Sequence, residues 1–483
     1  MKTKSIKKNY IYNLVLTVTN MIFPLITAPY ISYVLGAENI GKVNYATSII
    51  TWFTLFASFG IPRYGIREIA RNRDDKKELS NSFWNLIIIQ AVLSAVCLVV
   101  YLVLILNVSK FNSEINLYLL MIVMLILNIF SIDWFYQGIE EFGYIAIRNV
   151  IVKIISIILI FTMIKERNHY LIYALINILG LSFNNILNYL SVKKYIDKKI
   201  YKLRLVFYLK ELKIYFMTTL IISLYNQLDQ TFIGSISQRD LAYYLRSKTL
   251  LGVGFSVVNS ITTIFIPRTA YLVKNNYEEY KVVIKKSINY IYILALPCTM
   301  GLFTLAKEIM MLFGGNEFLP AKGSLQIISL LVVITSIGSW QINQILLPNR
   351  KEKLAFKIQS LAAIISISLN IILIPKFSYM GAAIAWVITE IILTSIEGIF
   401  IRIKIKDLKI NYLNKSMIKY LISVAIMSSA VLFIKIIVSN HILIILISII
   451  IAPIIYFGSI VILKDEIIIK FIEEIKSKFI NKI

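Results

Sequence analysis

The chain has 483 residues, of which 58% are apolar and only 16% are charged. A soluble domain carries roughly 25% charged residues, so this composition excludes an ordinary soluble protein. The net charge of +25 would indicate nucleic acid in a soluble chain. Here the basic residues lie between apolar runs, which instead favours the anionic cytoplasmic face of a bilayer and argues against a nucleic-acid partner.

Apolar stretches long enough to cross a membrane recur along the whole chain. About 14 spans of ~21 residues would use ~290 residues and leave only short connections. We predict the first six at 10–35, 44–61, 83–106, 117–135, 150–164 and 170–190, the next six at 214–233, 241–266, 288–305, 325–347, 355–374 and 380–401, and a last pair at 417–438 and 442–463. Uninterrupted runs of this length lack the alternation of barrel strands, so the predicted fold is an all-α polytopic membrane protein.

The distribution of Lys and Arg predicts the orientation of these spans. Most of the 51 basic residues fall in alternate connections, on the side that holds both termini, which predicts that both termini are cytoplasmic. The first run follows a basic segment but is longer and more polar than a signal peptide, so we expect an uncleaved first helix. The longest connection on the outer side, residues 307–322, is too short for a catalytic domain.

A short repeat suggests that the chain is duplicated. Ile61-Pro62-Arg63 closes the second predicted span, and Ile266-Pro267-Arg268 closes the eighth, 205 residues later and in the same orientation. We therefore predict two parallel six-helix bundles, residues 1–205 and 206–405, followed by two accessory helices and a cytoplasmic tail in 406–483. Parallel repeats of this kind usually place a transport path on the axis between two bundles.

Five strings carry a family resemblance that covers nearly the whole chain. They are Pro29-Tyr30-Ile31-Ser32-Tyr33-Val34-Leu35-Gly36, Phe59-Gly60-Ile61-Pro62-Arg63-Tyr64-Gly65, Asp133-Trp134-Phe135-Tyr136-Gln137-Gly138, Leu228-Asp229-Gln230-Thr231-Phe232-Ile233-Gly234 and Leu312-Phe313-Gly314-Gly315-Asn316-Glu317-Phe318. In this order they resemble the bacterial Wzx-type polysaccharide flippases. The eighth span departs from the relatives' pattern of small residues with Tyr243-Tyr244-Leu245-Arg246-Ser247-Lys248, which we interpret as a mark of this chain's own specificity.

The resemblance implies a place in the multidrug, oligosaccharidyl-lipid and polysaccharide exporter superfamily, with its MATE-like fold. The implied activity is the movement of undecaprenyl-diphosphate-linked oligosaccharide repeat units to the outer leaflet of the bacterial plasma membrane, by alternating access and for O-antigen or capsule biosynthesis. The implied partners are the lipid-linked oligosaccharide, membrane lipids and other polysaccharide-assembly proteins. No cofactor is implied.

Charge inside the predicted spans is the most informative signal for such a function. A central charged side chain costs ~2.5–3.5 kcal/mol on insertion scales, which an uninvolved position has no reason to tolerate. Arg246 and Lys248 are the leading candidates to bind a diphosphate, although snorkelling to the outer interface explains them equally well. Arg63 and Arg268 follow Pro at cytoplasmic helix ends and would meet the diphosphate on entry, or would only anchor those ends.

Uncharged and acidic polar residues form a second set of candidates. We predict cavity-lining or coupling roles for Asp229, Asn226 and Gln227 in the seventh span, for Asn13, Thr17 and Asn20 in the first, and for Glu390 and Asp133. Helix-to-helix hydrogen bonds and salt bridges are the structural alternatives, and an interfacial position is a further alternative for Asp133. Glu397 lies seven residues after Glu390 on the same helical face.

Aromatic and histidine residues complete the candidate set. Tyr225, Tyr243 and Tyr244 lie beside the charged candidates and would stack on sugars. His169 and His441 fall in short outer turns without metal-ligand spacing, so we assign them no role and predict no metal. No Gly-Lys-Ser/Thr loop occurs in the sequence, which predicts that the energy comes from an ion gradient, the membrane potential or substrate turnover.

Three alternatives stay open on sequence grounds. Two belong to the same superfamily: an ion-coupled multidrug antiporter, and a peptidoglycan-precursor flippase, whose relatives carry arginines in the first span where this chain has none. The third is a polytopic polysaccharide polymerase or glycosyltransferase. Such an enzyme needs an extended loop with acid, base or Arg groups placed on the sugar, and no long connection is present, so we predict that the chain is not an enzyme.

Overall fold

The computed structural model describes residues 6–408, 410–469 and 473. The side chains of residues 6, 7, 10, 13 and 261 lie outside this description, so the predicted site residue Asn13 is described only by its backbone in the first helix. The described ranges contain α-helices and short 3-10 or π turns, and no strand. The predicted all-α polytopic membrane fold is confirmed.

Sixteen α-helices lie within the described ranges. The first eight are α1 (Ile6–Ser58), α2 (Ile61–Asn72), α3 (Lys76–Asn107), α4 (Ile115–Asn128), α5 (Asp133–Gly138), α6 (Phe142–Met163), α7 (Tyr170–Val192) and α8 (Leu205–Ile236). The others are α9 (Gln238–Asn275), α10 (Tyr277–Thr304), α11 (Ala306–Gly314), α12 (Lys322–Ser329), α13 (Leu331–Trp340), α14 (Glu352–Lys404), α15 (Lys415–Ile437) and α16 (His441–Ile462).

Two of these helices are too long for a single membrane crossing. α1 and α14 have 53 residues each, which corresponds to about 80 Å at 1.5 Å per residue, against a hydrocarbon core of about 30 Å. Each is broken at one residue, Gly36 with φ 74° and Ser378 with φ 48°. The predicted connections after residues 35 and 374 are therefore wrong as loops: a single left-handed residue bends the chain, and helix resumes on both sides.

Eleven helical segments of the described residues are long and apolar enough to cross a membrane. They include both 53-residue helices, each long enough for two crossings. α8, which contains the predicted seventh span, is not among the eleven. The total of 14 spans stays a prediction.

Two predicted spans are interrupted. The fourth was expected to run through 117–135, but α4 ends at Asn128 and α5 begins at Asp133, because residues 129–131 donate to carbonyls three residues back and tighten the chain. The tenth is divided into α12, α13 and a π-helical turn, Gln341–Leu346. π turns within helices occur frequently at functional sites.

The chain divides into two compact units, Met1–Ala242 and Tyr243–Ile483. The first contains α1 to α8, the second contains α10 to α16, and α9 begins at the end of the first unit. The domain boundaries predicted at residues 205 and 405 stay predictions. In the first unit, a buried aromatic group joins α2, α3 and α5 through Tyr64, Phe83 and Trp134.

The segment between α7 and α8 is fixed to α3 by polar contacts. Nζ of Lys76 lies 2.8 Å from Oδ1 of Asp197, and Nε1 of Trp84 donates to the Asp197 carbonyl oxygen at 2.8 Å. The hydrogen bonds from Lys76 and Tyr201 hold the pKa of the Asp197 carboxyl below its usual range. These contacts fix this segment to α3 at Asp197.

Candidate functional site

Arg246 and Lys248 lie within α9, in the second unit. Arg246 is eight residues after Gln238, the first residue of α9, and thus about 12 Å along the helix axis. The Arg246 side chain is only 9% exposed, and its guanidinium carbon lies 5.4 Å from the ring centroid of Phe318. Nζ of Lys248 lies 4.9 Å from the ring of Trp386. Aromatic faces attract both cations through the electrostatic field of the ring.

The position of Phe318 explains the double glycine of the fifth family string. A Cβ atom on Gly314 would come within 2.3 Å of the Phe318 ring, so only glycine leaves room for it. Gly315 has a φ of 65°, in the region that favours glycine, and turns the chain from α11 into the segment that carries Phe318. The string therefore places one aromatic face beside Arg246.

The tyrosines next to these cations are packed inside the second unit. Tyr244 is fully buried, and its ring lies 5.5 Å from Nζ of Lys248. Tyr243 is 5% exposed and makes edge contacts with Phe318 and Tyr379 at 5.7 and 5.5 Å between ring centroids. In this conformation the Tyr244 ring lies against Lys248 and the Tyr243 ring packs on Phe318, so stacking of either ring on a sugar would require this packing to open.

α8 carries the acidic candidate of the first unit. Asp229 is 6% exposed, and its Oδ1 accepts a hydrogen bond from the backbone nitrogen of Gln230 at 2.7 Å. Asn226 is exposed and donates to the carbonyl oxygen of Ile222 in its own helix. Gln227 and Tyr225 are half-buried. Of this set, Asn226 has the most accessible side chain, and Tyr225 has a ring that is partly accessible for stacking.

The remaining polar candidates differ in exposure. Thr17 and Asn20 are exposed on α1, as a polar stripe requires. Glu390 is 8% exposed and lies one turn after Trp386 on α14. Glu397 is fully buried, and Nε2 of Gln341, with the amide in the orientation that satisfies both its atoms, donates to Glu397 Oε2 at 3.0 Å. Glu397 therefore ties α14 to the π turn.

Asp133 is part of an ion pair. Nη2 of Arg148 lies 2.9 Å from Asp133 Oδ1, and Nδ2 of Asn188 donates to the same oxygen at 2.6 Å. The Arg148 side chain is 4% exposed and that of Asp133 is 45% exposed. Sequence reasoning missed Arg148, because the fifth span was predicted to begin at 150, whereas α6 begins at Phe142 and encloses Arg148. Asp133 thus joins α5 to α6 and α7.

A second cation on α6 was also missed. Lys153 is eleven residues after Phe142, about 16 Å along a helix about 33 Å long. Its Nζ lies 4.2 Å from the ring centroid of Phe23 on α1. Among the residues that the structure describes, no carboxylate lies within ion-pair distance of Lys153. Its sequence signal was present, since Lys153 is the one charged residue in the run 150–164.

The two repeated arginines have different surroundings. α1 ends at Ser58 and α2 begins at Ile61, so Arg63 lies in the first turn of a separate helix, with Pro62 beside it, and is exposed. Arg268 lies inside the continuous α9, just after Pro267, and makes a short ion pair with Glu279. In the described part of the chain no carboxylate pairs with Arg63.

Comparison with solved structures identifies the class of fold. The chain matches "Lipid II flippase MurJ, inward closed conformation" with a TM-score of 0.74 and 17% identity, over 93% of this chain and 98% of that one. It also matches an inward-facing multidrug resistance MATE family transporter of the MOP superfamily, with a TM-score of 0.60 and 15% identity over 81% of this chain and 95% of that one. The chain shares the fold of these two structures.

The family follows from the sequence comparison. The family model described as "Polysaccharide biosynthesis protein" matches residues 6–273, more than half of the chain, and the chain belongs to this family. A protein of Escherichia coli (strain K12) named "Putative O-antigen transporter" is 24% identical over 82% of this chain and 97% of its own length. One of the same name in Shigella dysenteriae is 22% identical over 80% of this chain and 98% of its own length. The predicted family resemblance is confirmed.

Proposed function

We propose that this protein is a flippase that moves undecaprenyl-diphosphate-linked oligosaccharide repeat units from the cytoplasmic to the outer leaflet by alternating access, for polysaccharide biosynthesis. The family, the names of the two relatives and the fold shared with a lipid II flippase all support this function. It places the chain in a bacterial plasma membrane with both termini cytoplasmic. The partners of the protein under this proposal are the lipid-linked oligosaccharide, membrane lipids and other polysaccharide-assembly proteins.

The observation that carries the proposal is positive charge inside membrane-length helices. The hydroxyls and diphosphate of a lipid-linked sugar would lose their hydration in hydrocarbon, so a flippase must offer a polar, cationic passage while the tail stays in lipid. Arg246 is nine-tenths buried in α9, Lys248 lies beside it, and Lys153 lies near the middle of α6. We assign the diphosphate to Arg246 and Lys248 in the second unit, and a separate contact with the anion during its passage to Lys153 in the first unit.

The other candidates receive supporting roles in the same proposal. Arg63, which has no carboxylate partner in the described part of the chain, receives the diphosphate on entry, and Arg268 does so when its ion pair with Glu279 opens. Asp229 and Glu390 tune or couple the cycle. Sugar hydroxyls meet the polar residues Asn13, Thr17, Asn20, Asn226 and Gln227, and Tyr225 stacks on a sugar. Asp133 is assigned to holding Arg148 rather than to the substrate.

The chain acts in this proposal as a transporter and not as an enzyme. Every relative named above is called a transporter or a flippase. The described connections between the helices are short, which leaves little room for the acid, base and sugar-binding groups that glycosyl transfer needs.

Lipid-linked intermediates in a deletion strain test this function. We expect complete repeat units on undecaprenyl diphosphate to accumulate on the inner leaflet, and the wild-type gene to clear them. Incomplete or unlinked units would indicate an enzyme instead. Resistance to cationic dyes on expression, without any change in the lipid-linked pool, would indicate the multidrug antiporter, and accumulation of peptidoglycan precursors would indicate the peptidoglycan-precursor flippase.

A further inference from the structure

A cavity of about 640 Å³ lies in the second unit, away from the residues proposed to handle the substrate. It is found where α10 ends at Thr304, α15 ends at Ile437 and α16 begins at His441, and α11 and α12 complete its walls. The predicted topology places this end of the helices at the outer leaflet. Its volume is in the range of small-molecule sites, which is about 300–1,000 Å³.

The single carboxylate in the cavity wall is already neutralised. Glu308 is 3% exposed, and Nζ of Lys435 lies 2.7 Å from its Oε2. The same ammonium group donates a short hydrogen bond to the carbonyl oxygen of Thr304, at the end of α10. Glu308 and Lys435 therefore contribute no net charge to the cavity.

The remaining charged groups of the wall are all positive. Lys307 and Lys322 are exposed, and neither has a carboxylate within ion-pair distance among the residues that the structure describes. His441 is the first residue of α16, whose N-terminus adds a partial positive charge. Its Nδ1 is buried and has no hydrogen-bond partner in the described ranges. The cavity thus offers two ammonium groups and an unused polar atom to an anion.

Apolar side chains form much of the rest of the wall, including Met300, Phe303, Leu432 and Ile444, and the uncharged polar residues Gln326, Ser428 and Ser439 also line it. A free inorganic anion would gain nothing from the apolar side chains, whereas a lipid would place its chain there and its headgroup beside the lysines. Lys is a strong point-charge partner for phosphate, and basic pockets between membrane helices suit anionic headgroups. The combination of cations and apolar walls fits a phosphate-bearing lipid.

We propose that this cavity binds the phosphate headgroup of an anionic lipid, with Lys307 and Lys322 on the phosphate oxygens. The lipid is either a membrane phospholipid, such as phosphatidylglycerol, or a prenyl phosphate. The chemistry that recognises them is the same. This site does not depend on the proposed function, since none of the residues assigned to the transported substrate lines the cavity.

Native mass spectrometry of the full-length protein in detergent tests the site. We expect phosphatidylglycerol to bind about tenfold more tightly than phosphatidylcholine of equal chain length, and Lys307→Gln with Lys322→Gln to remove about tenfold of that affinity. The matched control is Lys165→Gln with Lys376→Gln, which removes the same charge from exposed positions outside the cavity and should change affinity less than about twofold.

Competition separates the two lipid sources. Displacement of bound phosphatidylglycerol by undecaprenyl phosphate at lower concentration would assign the site to the carrier lipid, and the opposite order to membrane phospholipid. The inference is overturned if the cavity variant binds phosphatidylglycerol like the control variant, if phosphatidylcholine binds equally well, or if inorganic phosphate displaces the lipid as readily as another lipid does. Both variants should elute from a size-exclusion column at the wild-type volume, which excludes misfolding. If the double variant does not elute there, the single variants Lys307→Gln and Lys322→Gln are used in its place.

Discussion

Arg148 and Lys153 lie five residues apart on α6, yet their surroundings differ. Arg148 is 4% exposed and bound to Asp133, which also accepts from Asn188. Lys153 contacts the ring of Phe23, and no carboxylate of the described residues pairs with it. Arg148 is a buried cation whose charge is balanced by its own carboxylate, whereas the half-buried Lys153 has lost part of its hydration with no ionic compensation. The presence of a carboxylate partner, more than the position along the helix, therefore distinguishes a structural cation from one that is available to bind an anion.

The largest effect is expected at the cations of α9. Arg246→Ala with Lys248→Ala removes two charge-assisted contacts to the diphosphate, which should lower polymer export by more than about a hundredfold. Surface polysaccharide is measured together with the amount of tagged protein in the membrane. Lys165→Ala with Lys376→Ala is the matched control and should export normally. Normal export by the α9 variant would show that Arg246 and Lys248 do not bind the diphosphate during export.

Lys153 on α6 is expected to affect export and not stability. Lys153→Met should lower export about tenfold, the effect of one lost charge-assisted contact. Its melting temperature should stay unchanged or rise, because a desolvated charge is removed without breaking an ion pair. Lys153→Arg should restore most of the export. A lowered melting temperature with intact export would show that Lys153 is a structural residue, as Arg148 is.

The ion pair of Arg148 should affect stability, and its two halves should differ. Asp133→Ala leaves a buried guanidinium without its carboxylate, which should cost about 3 kcal/mol. Arg148→Met leaves Asp133 with 45% of its side chain exposed, so the cost should be about 1 kcal/mol. Thermal unfolding in one detergent measures both. Equal losses, or a larger loss for Arg148→Met, would contradict this reading of the pair.

The smallest effects are expected at the repeated arginines. Arg63→Gln should lower export about threefold, because it removes an exposed cation that is proposed to meet the diphosphate on entry. Arg268→Gln should change export less than about twofold, since its charge is already engaged by Glu279. Initial rates of export at low expression compare them. Indistinguishable rates would mean that both arginines only anchor their helices.

Sequence reasoning recovered the class of fold because long apolar runs have few other stable structures in lipid. It misplaced connections where one residue breaks a helix, because Gly36 and Ser378 act through backbone conformation and not through polarity. It missed Arg148 because the start of α6 is polar enough to read as a connection. The family strings, in contrast, pointed to real packing, as Gly314 and Phe318 show beside Arg246.

The candidate site was harder to predict, because the sequence does not show which side chains contact each other in the folded protein. Sequence alone left Asp133 open between interface and cavity, and only the structure shows its contacts with Arg148 and Asn188. Glu390 was the predicted candidate, but Glu397 on the same helical face is the more deeply buried of the two and is tied to the π turn. Such contacts join residues far apart in sequence, and no local pattern encodes them.

Translocation by purified protein in vesicles tests whether Arg246 and Lys248 are needed to move the lipid-linked sugar. Lipid-linked oligosaccharide is placed in both leaflets, and a glycosidase added outside reports how fast the inner pool becomes accessible. We expect rapid cleavage of the whole pool with wild-type protein, and cleavage that stops at the outer half with Arg246→Ala and Lys248→Ala combined. Full cleavage by that variant at the wild-type rate would show that these two residues do not carry the diphosphate.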